Sequence, residues 1–282
     1  MKRTFLVVSS LITVTSVASP TVTAVSFEQN RASKIVDIRY SLSDAAIVTV
    51  DILTNGVSVG GRNLRNLAGD VNTEVAAGVR RVPWGPWEGW SEGPAKTEIS
   101  AKVTAWPLWN PPDYLVVDLV EPYGHAYYPD EDYLPGGILS NKMNRSYVLV
   151  MRRIHAKGVT WTMGSVSEDQ RQDDETTHLV TLDRNYYIGI FEVTQSQWNL
   201  VKGNNPSEYK GEGYSMHPVE QVSYQAIRNK DSETQNFWPN DPGQDSFLYK
   251  LREKTGIVNF DLPGEAQWEF ASRAGYGEGF WG

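Results

Sequence analysis

The sequence contains no cysteine. That excludes disulfides, thiolate nucleophiles, thiolate metal sites and thiol redox motifs within these residues. It is also poor in basic charge: 26 Lys and Arg against 34 Asp and Glu give a formal net charge of −8. Nonspecific nucleic-acid binding needs a basic face, so no nucleic-acid partner is expected. Histidine is scarce, with four residues. His155, His178 and His217 show none of the close His spacings of a metal site, and isolated histidines rarely hold a metal without partners. There is no internal repeat and no long low-complexity tract. Away from the N-terminus no apolar run is long enough to span a bilayer, which takes ~20 residues.

What is present points to two packed regions behind a leader. The 282 residues suffice for two domains at ~100–200 residues each. Hydrophobic residues make up 40% and aromatics 11%, so a packed core is expected rather than disorder. Lys2 and Arg3 precede an apolar stretch from Phe5 to Val17 that Ser and Thr residues soften. Val22-Thr23-Ala24 offers small residues for cleavage, and Ser16-Val17-Ala18 is a second candidate site. Residues 1–24 are therefore read as a signal peptide, and the protein as exported: periplasmic, secreted or on the cell surface.

Residues 25–109 read as all-β. Ile38, Tyr40 and Leu42 fall on one face of one strand, and Val48, Val50 and Ile52 on one face of a second. Glu98–Trp106 is a third candidate, and Asn55-Gly56 marks a hairpin turn. Short strands with frequent turns fit a β-sandwich resembling immunoglobulin or fibronectin type III modules, without their cysteine pair. A sandwich owns its core, so this region is expected to fold alone. Trp84-Gly85-Pro86-Trp87-Glu88-Gly89-Trp90 is either an aromatic ligand platform or core-filling Trp beside a loop, the second being favoured. Residues 110–146, with many Pro, Gly, Tyr and Asp residues around one short apolar strand at Tyr114–Leu119, read as a connector that packs partly on its neighbours. Asp130, Glu131 and Asp132 lack the spacing and turn glycine of a calcium loop and read as a solvated loop.

From Tyr147 to Gly282 strands give way to helices. Thr194-Gln195-Ser196-Gln197 forms a capping box, with Gly203 as its helix's stop. Asp245 is expected to cap a helix running through Lys254. A further helix starts at Gly264 and ends at Gly275. Glu265 and Glu269 stand one turn apart on it and could pair as acid and base. The favoured reading puts Glu265 in the first turn for the helix dipole and pairs Glu269 with Arg273 at i,i+4.

This part of the chain carries a series of family motifs. The run Leu262-Pro263-Gly264-Glu265-Ala266-Gln267-Trp268-Glu269-Phe270-Ala271-Ser272-Arg273 resembles the Arg-Leu-Pro-Thr-Glu-Ala-Glu-Trp-Glu-Tyr-Ala-Ala-Arg signature of the formylglycine-generating enzyme (sulfatase-modifying factor) family. Met163-Gly164, Glu175 through His178 to Val180, Tyr187 through Glu192 to Thr194, Asn205-Pro206-Ser207, Pro218-Val219 with Val222-Ser223, and Phe280-Trp281-Gly282 follow the family pattern in order. The resemblance implies a C-type-lectin-like α+β domain over residues 147–282. It implies structural roles for Gly164, His178, Glu192, Pro218, Glu265, Trp268, Glu269 and Arg273, with Glu192 hydrogen-bonded inside the fold. In the family's oxidases a sulfatase cysteine becomes formylglycine at a copper held by two cysteines, and calcium ligands accompany it. Relatives use non-heme iron. Those ligands fall after the Trp-Gly step, so the domain is expected to be partial here, and no catalytic, cofactor or metal residue carries over. Two functional classes stay open: an enzyme of this type, and a non-catalytic module that binds a protein or glycan outside the cytoplasm.

Overall fold

The computed structural model describes residues 18–30, 32–33, 35–64, 66–85, 99–165, 176–229 and 240–274. The N-terminal part is antiparallel throughout. Strands β1 (Val22–Gln29), β2 (Val36–Leu42), β3 (Ala46–Thr54), β4 (Val57–Ser58), β5 (Thr73–Val75), β6 (Gly78–Trp84) and β7 (Ile99–Trp106) form two sheets. One has the order β1-β2-β6. In the other, β3 is central: β7 runs along one edge from Ile47↔Trp106 to Thr54↔Ile99, while β5 and β4 share its opposite edge. Asn55 and Gly56 join β3 to β4 with φ of 50° and 78°. Positive φ at both turn residues matches the strand twist, and Asn-Gly adopts it at little cost.

The alternation read from the sequence places the core. Ile38, Tyr40 and Leu42 of β2 meet Val48, Val50 and Ile52 of β3, with Val82 and Trp84 between them. The Tyr40 hydroxyl enters this core because it donates to the Asp70 carbonyl at 2.7 Å. Trp84 is buried beside Phe27, ring centroids 6.4 Å apart. It fills the core, as favoured above; Trp87 and Trp90 lie outside the described residues. So does most of the expected leader, but β1 begins inside it. Val22 and Thr23 pair with Leu42 and Ser41, and Thr21 exchanges hydrogen bonds with Ser43.

The expected connector supplies two strands. β8 (Tyr114–Asp118) pairs with β10 (Val148–Ile154), and β9 (Gly124–Tyr128) pairs with β8. With β13 (Tyr186–Gly189) they make an antiparallel sheet of order β13-β10-β8-β9. A short apolar run gives no sign of where its partner lies; here Leu115 and Val117 are buried against helices far along the chain. β11 (Thr160–Met163) and β12 (His178–Thr181) form a separate hairpin.

Helices α1 (Gln195–Lys202), α2 (Tyr224–Arg228) and α3 (Phe247–Thr255) cover the sheet, with Trp198 of α1 stacked on Phe247 of α3 at 4.7 Å. Helix α4 (Glu265–Ser272) packs on the hairpin instead, burying Phe270 with Ala156, Trp161, Met163 and Leu182. The α3 cap differs from expectation. Ser246 accepts from the Tyr249 amide at 3.1 Å, and Asp245, at φ 66°, stands outside the helix. An N-cap needs an extended backbone, which Ser246 has and Asp245 lacks. Among the described residues no helix is long and apolar enough to cross a membrane.

Candidate functional site

The family signature sits on α4, whose start is half a capping box. Gly264 has no side chain to offer, but the Gln267 side chain accepts from the Gly264 amide at 2.9 Å. Glu265 is exposed in the first turn, where a carboxylate suits the helix dipole. The next turn points inward. Phe270 meets Trp161 edge to face at 5.5 Å. Glu269 Oε1 accepts from the Gly164 amide at 2.9 Å and forms an ion pair with Arg273, 2.8 Å from its Nε. The Arg273 side chain is 2% exposed and that of Glu269 12%. One carboxylate therefore clamps the end of β11 to the helix and neutralises a buried guanidinium. Glu265 and Glu269 do not converge on a common cleft: one faces solvent and the other is held between Gly164 and Arg273.

Gly164 is fitted to this clamp. Its φ is +84°, and a Cβ there would stand 3.0 Å from the Thr176 carbonyl oxygen. A Gly164→Ala variant is expected to lose about 1–2 kcal/mol of stability, the cost of a left-handed backbone with a Cβ, measured by urea unfolding. Tyr186 ties the same helix from below, donating to the Gln267 carbonyl at 2.6 Å. Burial pushes its phenol from 10.0 up to about 12. A raised folded-state pKa keeps its stabilisation whole below pH 10 and loses it as the pH climbs toward about 12. Alkaline unfolding followed by phenolate absorbance should therefore show stability falling in that window, and Tyr186→Phe should lessen the fall.

A second set of motif residues gathers at the start of α1. Thr194 and Gln197 form the capping box, with bonds of 3.2 and 2.9 Å. The other side chains here reach outward. Gln197 Nε2 donates to the Asn144 and Val148 carbonyls, Thr194 Oγ1 to that of Arg145 and Ser196 to that of Ser146. Gln195 bonds to the Tyr209 carbonyl and to Asn205. Ser207 and Glu220 close the loop between them, Glu220 accepting from the Tyr209 amide at 2.8 Å. Pro218 forms a β-bridge with Thr194. The capping box is legible in the sequence; these reaching bonds are not. The run of consecutive polar residues Thr194-Gln195-Ser196-Gln197 is the signal the sequence offers.

The remaining expectations divide. Glu192 is exposed rather than hydrogen-bonded inside the fold; β13 ends at Gly189, and the chain bends before the Thr194 cap. His178 is exposed, with Nδ1 at 3.1 Å from the Thr176 carbonyl. His155 pairs with Asp113 at 2.7 Å, and His217 packs on Tyr209 at 5.0 Å. Asp130 caps a short turn by accepting from Asp132, and Asp132 approaches Arg62 at 3.5 Å. Trp268 is 53% exposed. Asp174, Glu175, Gly275 and Phe280-Trp281-Gly282 lie outside the described residues. Among those described, no group of three or more His, Cys, Asp or Glu side chains is placed to hold a metal ion. A copper site built on two cysteines does not fit these residues, because the sequence has none.

Residues 145–282 match the family described as the sulfatase-modifying factor enzyme 1-like domain, and the chain carries a domain of that family there. Among curated proteins, the chain is similar to the chaperone protein LppX of Paenibacillus barcinonensis, at 38% identity over 111 residues. That match covers 34% of this chain and 38% of the relative, so the chain spans well under half of that protein's length. No solved structure matches.

Proposed function

We propose that this is an exported protein presenting a sulfatase-modifying-factor-type domain of C-type-lectin-like fold behind an immunoglobulin- or fibronectin-like β-sandwich. These 282 residues do not by themselves oxidise a sulfatase cysteine to formylglycine. The observation that carries this reading is chemical: the family's oxidases hold copper through cysteine thiolates, and no cysteine is present. The motif side chains Glu269, Arg273, Thr194 and Gln197 serve the domain's own backbone and ion pairs instead. Incubation with copper, oxygen and a sulfatase-motif peptide should give no formylglycine by mass above a copper-only control. Conversion above that control would sink the reading.

The start of β1 refines the export reading. Cleavage after Ala24 would remove the Val22 and Thr23 pairings with β2, whereas cleavage after Ala18 leaves β1 whole. The mature chain is proposed to begin at Ser19. N-terminal sequencing of exported material separates Ser19 from Val25, and a retained Met1 on cytosolic protein would overturn export itself.

A non-catalytic module that binds a protein outside the cytoplasm is the second reading. It is favoured by the exposed Trp268 on the signature helix and by a relative that is named a chaperone. It predicts that the protein suppresses aggregation of a thermally unfolding test enzyme at near-stoichiometric ratio. Unchanged light scattering would count against it.

A further inference from the structure

Strand β3 breaks the alternation of a sheet with one wet face. Val48, Val50 and Ile52 point into the sandwich core, yet Ile47 and Thr49 on the opposite face are 1% and 5% exposed. In an antiparallel sheet with a single buried side, alternate residues should be wet. Something covers this second face.

Part of the cover is Trp106 of β7, whose indole donates to Thr49 Oγ1 at 2.9 Å; the C-terminal part of the chain also lies against this sheet. β9 lies against β3 and β5. The Tyr127 amide, on the edge of β9 away from β8, donates to the Asn72 carbonyl at 2.7 Å. Asn72 in turn donates to the Val48 carbonyl at 2.7 Å, so the contact is anchored in the middle of β3. Farther along, the turn Glu131–Tyr133 sits on Gly61. A Cβ at Gly61 would stand 2.5 Å from Tyr133 Cα and 2.7 Å from the Asp132 carbonyl oxygen. Such backbone-to-backbone approach admits only glycine. The Tyr133 phenol faces Asp51 and Ser58, which bond to each other at 2.9 Å on this same side of the sheet. The Arg62–Asp132 pair at the rim is mostly exposed and adds little.

We infer that the outward face of the β3 sheet is a built-in docking surface for β9 and the Glu131–Tyr133 turn. Through it the N-terminal sheets and the family domain form one cooperative body. The N-terminal sheets then act as a fixed mount that sets the direction in which the family domain faces. The connector at residues 110–146 is thereby held against the β3 sheet rather than left as a flexible tether.

The Tyr127 amide reports this docking directly, because its partner belongs to the other part of the chain. In the full chain it is expected to exchange with solvent as slowly as the paired amides of β8 and β10. Gly61→Val inserts bulk against the Tyr133 backbone, and Tyr133→Ala removes the ring; each should speed Tyr127 exchange at least about tenfold while β2 and β6 amides stay protected. Thermal unfolding should pass from one transition in the parent to two in the variants. Val79→Ser, at a side chain 76% exposed on the other sheet, should change neither readout. Rapid Tyr127 exchange in the parent, or slow exchange with one transition in the variants, would overturn the inference. If Gly61→Val fails to fold, Tyr133→Ala decides alone.

Discussion

Replacing Glu269 by alanine is expected to lower the free energy of unfolding by about 3–5 kcal/mol, because it removes a carboxylate paired with a buried charge. The Arg273 side chain is 2% exposed and has the Glu269 carboxylate at 2.8 Å. An exposed i,i+4 pair would be worth only a few tenths of a kcal/mol. Burial changes the balance: forming the pair contributes little, but breaking it takes a carboxylate from beside a buried guanidinium. The same substitution removes the acceptor for the Gly164 amide, which adds an unsatisfied donor at the end of β11. Glu269→Gln keeps an acceptor and loses the charge, so its cost should be smaller. Urea unfolding of the three proteins gives the order directly, and Glu269→Ala falling within 1 kcal/mol of the parent, far below the stated range, would count against the clamp.

Asp261→Ala should be comparably damaging, again at about 3–5 kcal/mol. Asp261 Oδ2 accepts from Arg228 at 2.8 Å and lies 3.4 Å from Arg252. The Arg228 side chain is 1% exposed and also donates to the Asn240 carbonyl at 2.7 Å. Removing the carboxylate leaves two neighbouring guanidiniums, one of them fully buried. Arg228→Met should be much milder. It fills the same space with apolar atoms, and Asp261 keeps Arg252, which also bonds the Phe260 carbonyl at 2.8 Å. Chemical denaturation that ranks Arg228→Met as the worse of the two would contradict this account of the cluster.

Much of the fold could be read because local rules decide it. The alternation of Ile38, Tyr40 and Leu42 against Val48, Val50 and Ile52 fixes the first core, and the Thr194–Gln197 box fixes the start of α1. The ordered motifs fixed the family. What stayed hidden depends on distant partners. Nothing local says that Tyr114–Asp118 pairs with Val148–Arg152, that Glu269 reaches Gly164, or that the back of β3 is covered. Asp261 was passed over although it stands where the family signature has Arg; its role shows only once Arg228 and Arg252 are seen beside it. Glu192 failed for the opposite reason: the motif said that it belongs there, but not which way the chain turns after β13.

The charged residues Glu269 and Arg273 of the signature helix form a structural clamp. A double-mutant cycle on Glu269→Ala and Arg273→Met, read by urea unfolding, measures whether the pair acts as one. The clamp predicts that the double variant is more stable than the sum of the single losses implies, with a coupling of about 1–3 kcal/mol. Additive losses, within about 0.5 kcal/mol, would show that the two side chains do not act as a unit and would contradict the claim.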